Sequence, residues 1–180
     1  MKTILLIRHG ETAARAGAFC GSTNVALSKV GQQQSREILQ LLATHNIELV
    51  VTSGLQRTDY YGQRAAIHGR AHVIDTDLRE INFGSWEGQT WAEIEKHSPA
   101  AAAIWLAHPD TMRFPEGESM PIFRQRVQNA WQRLMTRPEM RIAIIGHSGV
   151  LSFVLQYAGI TQQPTYLQCA ESMAIAVAKM

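Results

Sequence analysis

Ile4-Leu5-Leu6-Ile7-Arg8-His9-Gly10 joins four consecutive apolar residues to an arginine, a histidine and a glycine. An uninterrupted apolar run predicts a β-strand that is buried on both faces. The pattern recurs at Leu49–Val51 and at Ile142–Ile145, and helix-like segments lie between the runs. The sequence therefore predicts an α/β fold of three layers, α/β/α, with a mostly parallel central sheet and helices on both faces.

The remaining elements follow from helical spacing, capping residues and short apolar runs. The first predicted helix begins at Ser28, a suitable N-cap, and ends near His45. Further helices are predicted over 56–66, 90–97, 99–108, 119–134 and 149–158, and further strands over 72–74 and 173–177.

Composition and charge narrow the class of protein. The chain has 180 residues, 46% of them hydrophobic, which predicts one domain spanning 1–180. A formal net charge of +2 gives no electrostatic field for nucleic acid or an anionic membrane, so neither is an expected partner. The sequence shows no signal-peptide core and no apolar run long enough for a membrane span, so we expect a cytoplasmic protein.

The chain has two cysteines, Cys20 and Cys169, in no C-x-x-C pair. This excludes a disulfide framework and a zinc knuckle. We expect two free thiols, although one disulfide between them stays open.

Polar side chains follow the predicted strands at the points where the strands end. Arg8 and His9 follow the first run, Arg57 lies shortly after the second, and His147 follows the third. Ligands of open α/β sheets bind beyond the carboxyl ends of the strands, so these residues should converge at one edge. Taken singly, each arginine could be a surface cation and each histidine an ordinary polar residue of the rim.

Two guanidinium groups and two imidazoles around one point would form an anion site suited to phosphoryl transfer without a metal. A histidine nitrogen attacks phosphorus in line, and the arginines neutralise charge on the equatorial oxygens. Glu80 precedes an aromatic segment whose surroundings can raise a carboxyl pKa, which makes it the candidate acid for the leaving oxygen. An ordinary exposed carboxylate is the alternative for Glu80.

Six segments, in order along nearly the whole chain, resemble motifs of the histidine phosphatase superfamily, which includes the phosphoglycerate-mutase-like enzymes. The first is Arg8-His9-Gly10-Glu11-Thr12, which is similar to the family signature. The others are Gly21 through Ser28 with Gly31, Ser53 through Arg57, Leu78 through Gly88, Pro115 through Ser119, and Gly146 through Gly149.

The resemblance implies roles for individual residues. His9 would be the phosphorylated nucleophile and Glu80 the proton donor, with Arg8, Arg57 and His147 forming the phosphate pocket. The charge of Arg8 would also help to keep His9 neutral.

Three further positions are implied to contact substrate. Arg15 stands where the family often has asparagine, and we expect it to add a contact to the phosphate or to another anionic group. The resemblance places Cys20 and Gly21 in a substrate-contacting loop. Trp86 and Trp105 are expected mainly in packing, with lining of a substrate pocket left open.

The resemblance implies a phosphatase rather than a mutase, because a chain of this length has little room for the lid that retains phosphate in mutases. Segments around Phe83–Glu87, Trp105, Phe123–Val127 and Gly149–Ser152 are similar to the α-ribazole phosphatases of cobalamin synthesis. The expected ligand is a small-molecule phosphate ester, with no metal and no cofactor. An isomerase and a non-catalytic phosphoester-binding protein stay open as alternatives, and so does a homodimer.

Overall fold

A computed structural model describes residues 1–160 and 167–177. In this part of the chain the strands are β1 Lys2–Arg8, β2 Leu49–Thr52, β3 Ala71–Ile74, β4 Arg141–Gly146 and β5 Ser172–Val177. The α-helices are α1 Lys29–Gln33, α2 Ser35–Thr44, α3 Gln56–Ile67, α4 Trp91–His97, α5 Pro99–Ala107, α6 Met120–Thr136 and α7 Ser148–Tyr157. Short 3₁₀ turns cover Thr76–Leu78, Gly84–Trp86 and Pro109–Thr111.

The five strands form one sheet in the order β3-β2-β4-β1-β5. The strands β3, β2, β4 and β1 are parallel to one another, and β5 pairs antiparallel with β1 at one edge of the sheet. The register places Arg8 opposite Gly146 and Thr52 opposite Ile145, so β1, β2 and β4 end at nearly the same level. This is the shared edge that the sequence predicted.

Apolar residues cover the sheet on both faces. Alternate residues of β1, Leu5 and Ile7, pack with α2 and α3 in one cluster, whereas Ile4 and Leu6 pack with α6 and α7 in the other. Burying a side chain of this size contributes about 1.5–3 kcal/mol, and the two clusters together hold the sheet between its helices. The predicted three-layer α/β/α fold is confirmed.

The first helical region differs from the prediction. Its N-cap is Ser28, as expected, but the helix is interrupted at Gln34 and continues as α2. The Gln34 side chain accepts a hydrogen bond from the amide of Glu11 at 3.2 Å. A Cβ at Gly31 would lie 2.0 Å from the carbonyl oxygen of Glu11, so this close approach requires glycine. These two contacts hold α1 and Gln34 against Glu11, two residues after His9.

None of the helices in residues 1–160 and 167–177 combines the length and the apolar character that a membrane crossing requires.

Candidate active site

The two histidines of the predicted site meet at the ends of neighbouring strands. The backbone amide of His9 donates to the carbonyl of Gly146 at 3.0 Å, which continues the pairing of β1 with β4 by one residue. The two imidazole centroids are 5.2 Å apart, with an angle of 62° between the rings. Residues 138 positions apart are therefore fixed together by the backbone of the sheet.

His9 is held as a neutral imidazole with one nitrogen available. Its Nδ1 lies 2.7 Å from the carbonyl oxygen of Gly10, and a carbonyl only accepts, so Nδ1 carries the proton. Nε2 then holds the lone pair. Burial, together with the charges of Arg57 and Arg8, lowers the pKa of His9 to about 3. The ring is therefore neutral at pH 7, and in this state Nε2 is able to act as a nucleophile.

His147 is fixed by hydrogen bonds at both ring nitrogens. Arg57 Nε donates to its Nδ1 at 3.3 Å, and its Nε2 lies 2.8 Å from the hydroxyl of Ser53. Because Nδ1 accepts, the proton is assigned to Nε2. Burial, then the Arg57 charge, lowers the pKa of His147 well below its ordinary value. Sequence reasoning named the segment around Ser53 but missed this contact.

Arg57 lies in the first turn of α3 and is fully buried. Its two terminal nitrogens donate to the carbonyls of Thr23 and Gly21. A Cβ at Gly21 would stand 1.9 Å from the carbonyl oxygen of Ile81, so the chain can pass here only as glycine. Burial lowers the pKa of Arg57, but a guanidinium remains charged at neutral pH. The site thus contains a rigid, desolvated positive charge.

The loop that holds Arg57 is itself held by Glu87, within the aromatic segment noted in the sequence. One Glu87 oxygen accepts from the amide of Gly21 at 3.0 Å and from the Thr23 hydroxyl at 2.6 Å. The other accepts from the amides of Ser22 and Phe83. Sequence reasoning did not assign this role to Glu87.

Arg8 ends β1 and is the second cation at the site. Its Nη1 donates to the carbonyl oxygen of Leu167 at 2.8 Å. Its Nε is buried and has no hydrogen-bond partner within residues 1–160 and 167–177. A buried donor without a partner costs about 1–3 kcal/mol, and an anionic oxygen would satisfy it.

Glu80 is buried and lines the same cavity as His9. Its Oε2 accepts from the amide of Gly149 at 3.0 Å, and its Oε1 accepts from the amide of Ile81 at 3.1 Å. Burial raises the pKa of Glu80, against the opposing effect of the two amides. A raised pKa favours the protonated carboxyl group that can supply a proton.

Arg126 on α6 was not identified as a site residue from sequence. It forms a two-point ion pair with Glu118, with distances of 2.7 and 2.8 Å, and donates to the carbonyls of Asp77, Arg79 and Glu80. These bonds fix the backbone that carries Glu80. The only sequence signal was its place in the Phe123–Val127 segment, which does not reveal a contact to residues 46–49 positions earlier.

A cavity of about 510 Å³ opens over His9. Arg8, Arg15, Cys20 and Glu80 line it with His9, which brings five of the predicted residues to one space. Arg15 stands at its border, half exposed, and its guanidinium pairs with Glu93.

Of the remaining residues named from the sequence, some lie at a cavity and others in the interior. Cys20 is half-buried, and burial raises the pKa of its thiol. Gly21 contacts Arg57 rather than the cavity. Trp86 is fully buried in the core, whereas Trp105 borders a second cavity. Cys20 and Cys169 are both free thiols.

Among the described residues, no three histidine, cysteine or carboxylate side chains form a metal-binding group. The ring of His72 contacts the Thr52 hydroxyl at 2.9 Å and lies 3.5 Å from a carboxylate oxygen of Asp59.

Comparison with known proteins agrees with this geometry. The family model of the histidine phosphatase superfamily, branch 1, matches residues 4–173, which include the carboxyl ends of β1, β2 and β4 at the site. The chain belongs to this superfamily. Its predicted membership and its assignment as an enzyme of the histidine phosphatase type are therefore confirmed.

Relatives within the histidine phosphatase superfamily differ in substrate. The chain is 26% identical over 161 residues to a glucosyl-3-phosphoglycerate phosphatase of Mycolicibacterium vanbaalenii, covering 84% of this chain and 72% of that protein. It is 31% identical over 159 residues to a bifunctional protein of Mycobacterium tuberculosis, covering 86% of this chain but only 43% of the relative. The crystal structure of the α-ribazole phosphatase from Shigella flexneri superposes with a TM-score of 0.85 at 26% identity, covering 98% of this chain and 91% of that one.

Proposed function

We propose that this histidine phosphatase superfamily member hydrolyses a small-molecule phosphate monoester through a phosphohistidine on His9, without a metal. The observation that carries the proposal is the state of His9. Its Nδ1 is tied to Gly10, its ring is neutral, and Nε2 is left as a nucleophile beside two guanidinium groups. The positive charge of Arg8 and Arg57 attracts a phosphate dianion and repels a divalent cation.

The reaction has two steps with Glu80 acting in both. Nε2 of His9 attacks phosphorus as the bond to the ester oxygen breaks, and the protonated Glu80 gives its proton to that oxygen. A water molecule then attacks the phosphohistidine and gives its proton to Glu80. Phosphate leaves, and both side chains return to their starting states.

The phosphate oxygens would meet the cations and dipoles of the site. Arg8 supplies an unpartnered Nε, and Arg57 brings a charge that protein contacts hold in place. His147 would lie beside the phosphoryl group on His9, since the two imidazole centroids are 5.2 Å apart. Donors that are fixed before the substrate arrives need little reorganisation in the transition state.

The first substrate to test is α-ribazole 5′-phosphate. The similarity to the Shigella flexneri enzyme and the resemblance of several segments to that subfamily support this choice. The cytoplasmic location and the homodimer considered from sequence stay predictions.

The chemistry is tested with 4-nitrophenyl phosphate in the presence of EDTA. We expect full activity, and we expect His9→Ala to lose at least ~10³-fold in rate because no other nucleophile replaces it. His68→Ala, at an exposed histidine, is the matched control. Complete dependence on an added divalent metal would contradict the metal-free mechanism.

The intermediate is tested by quenching the reaction in base and recovering labelled protein. Phosphate bound to His9 should be stable in base and labile in acid. Tight phosphoester binding without release of phosphate would instead identify a non-catalytic binding protein. Transferred product, rather than free phosphate, from 3-phosphoglycerate would identify an isomerase.

A further inference from the structure

Hydrogen bonds hold both peptide units that flank Gly10, the residue after the candidate nucleophile. The carbonyl oxygen of Gly10 lies 2.7 Å from Nδ1 of His9. The amide of Gly10 donates to the hydroxyl oxygen of Tyr61 at 3.1 Å, and the amide of Glu11 donates to Oε1 of Gln34 at 3.2 Å. Tyr61 and Gln34, here called the Gly10 clamp, therefore hold the backbone to which the His9 ring is bonded.

The bond to Gln34 acts on the carbonyl that His9 uses. The carbonyl of Gly10 and the amide of Glu11 belong to one planar peptide unit, in which they point in opposite directions. By accepting from that amide, Gln34 fixes the plane that directs the carbonyl at Nδ1 of His9. Donation by the amide also polarises the carbonyl, which makes it a better acceptor.

The bond to Tyr61 acts on the preceding peptide unit. Tyr61 lies on α3, and its side chain is fully buried. Its hydroxyl donates to the carbonyl oxygen of Gly31 at 2.7 Å, so the phenol oxygen is left to accept from the amide of Gly10. Burial raises the pKa of Tyr61 to about 12, so the phenol keeps its proton at neutral pH. Tyr61 thus ties the backbone beside His9 to α1 and α3.

The clamp lies directly against Gly10. A Cβ at this position would overlap both the Tyr61 hydroxyl and Oε1 of Gln34, so their close approach to the backbone requires glycine. Two polar groups this close to one residue, each with its own hydrogen bond, oppose rotation of the peptide units on either side.

The orientation of the Gly10 carbonyl decides which nitrogen of His9 can attack phosphorus. A neutral imidazole carries one proton, and the hydrogen bond at one nitrogen sets which nitrogen holds it. While Nδ1 donates to Gly10, Nε2 keeps its lone pair. If the carbonyl turns away, the proton can reside on Nε2, and that form of the ring has no lone pair for the reaction.

We propose that Tyr61 and Gln34 are positioning residues that fix the tautomer of His9 through the backbone of Gly10. Neither side chain needs to touch the substrate for this role. The inference rests on the proposed phosphohistidine mechanism and adds the groups that prepare its nucleophile.

NMR of the isotope-labelled protein tests the tautomer directly, because the nitrogen chemical shift distinguishes a protonated ring nitrogen from an unprotonated one. The signals of His9 are identified by their loss in His9→Asn. In the wild type we expect the proton on Nδ1, whereas in Tyr61→Phe and Gln34→Met part of the population should carry it on Nε2. Tyr60→Phe and Gln33→Met make the same changes at neighbouring positions and should keep the wild-type tautomer.

Kinetics separate this role from a general loss of structure. In each clamp variant kcat for 4-nitrophenyl phosphate should fall about 10-fold, because fewer molecules present a lone pair at Nε2. The affinity for inorganic phosphate, measured by calorimetric titration, should stay unchanged, because Arg8 and Arg57 keep their places. The two control variants should keep the wild-type kcat.

A wild-type tautomer of His9 in both clamp variants would overturn the proposal. A wild-type kcat in both variants, or a loss confined to phosphate affinity, would overturn it as well. If Tyr61→Phe does not fold, Gln34→Met, at a partly exposed position, decides the question. A wild-type protein that hydrolyses no ester would overturn the proposed function, and the NMR measurement would still decide whether the clamp fixes His9.

Discussion

Replacing His9 with asparagine should weaken the dependence of the free energy of unfolding on pH in the acid range. The native pKa of His9 is about 3, against 6.5 for the ordinary side chain. Between these values the unfolded chain binds a proton that the native state does not bind. The free energy of unfolding therefore falls as the pH is lowered through this window, by about 1.4 kcal/mol per pH unit from His9 alone.

The expected difference in the free energy of unfolding between wild type and His9→Asn follows from this slope. Across the whole window His9 contributes about 5 kcal/mol to the loss of stability in acid, and between about pH 6 and pH 4 it contributes about 2–3 kcal/mol. Glu80, whose pKa is raised, acts in the opposite direction, because its native form holds a proton that the unfolded chain releases. This effect is present in both proteins and cancels in their difference.

Urea unfolding followed by tryptophan fluorescence measures the prediction at a series of pH values. The asparagine amide can still donate to the carbonyl of Gly10, so His9→Asn changes the titration while preserving that hydrogen bond. His68→Asn, at an exposed site, is the matched control and should keep the wild-type slope. Parallel stability curves for wild type and His9→Asn would refute the assignment of a buried, neutral imidazole.

Three other substitutions address the acid and the second histidine. Gly149→Ala would place a Cβ 2.7 Å from Glu80 Oε1 and displace the carboxyl group. For an alkyl phosphate, kcat should then fall ~10²-fold. For 4-nitrophenyl phosphate the loss should stay under ~10-fold, because its leaving group needs little protonation. Ser53→Ala leaves Nε2 of His147 unpaired in the interior, and urea unfolding should show a loss of about 1–3 kcal/mol. Arg126→Met removes a charge that lowers the pKa of Glu80, so the alkaline limb of the kcat profile should move to higher pH; an unmoved limb would separate Arg126 from the acid.

The position of the site was predictable because it follows from strand ends. Apolar runs that stop at Arg8, Thr52 and Gly146 define three parallel strands, and the geometry of a parallel sheet brings the following residues to one edge. No side-chain detail was needed for that step. The same reasoning correctly expected His9 and His147 to lie together.

Side-chain pairing was less predictable because it depends on contacts between segments with no fixed spacing. Arg126 reaches back to the segment that carries Glu80, and Glu87 holds the loop around Gly21. Arg15 is paired with Glu93 on α4, a partner that local sequence does not reveal. Each of these bonds is set by packing between elements, whereas the strand ends are set within one short run.

The pairing of β1 with β4 has a consequence for biosynthesis. His9 is made 138 residues before His147, and the hydrogen bond from His9 to Gly146 cannot form until β4 has left the ribosome. A nascent chain that ends before β4 therefore lacks the second histidine and the strand that aligns it with His9. Recovery of phosphatase activity during refolding will accordingly report the pairing of β1 with β4. An amino-terminal fragment that ends before β4 will show no such activity.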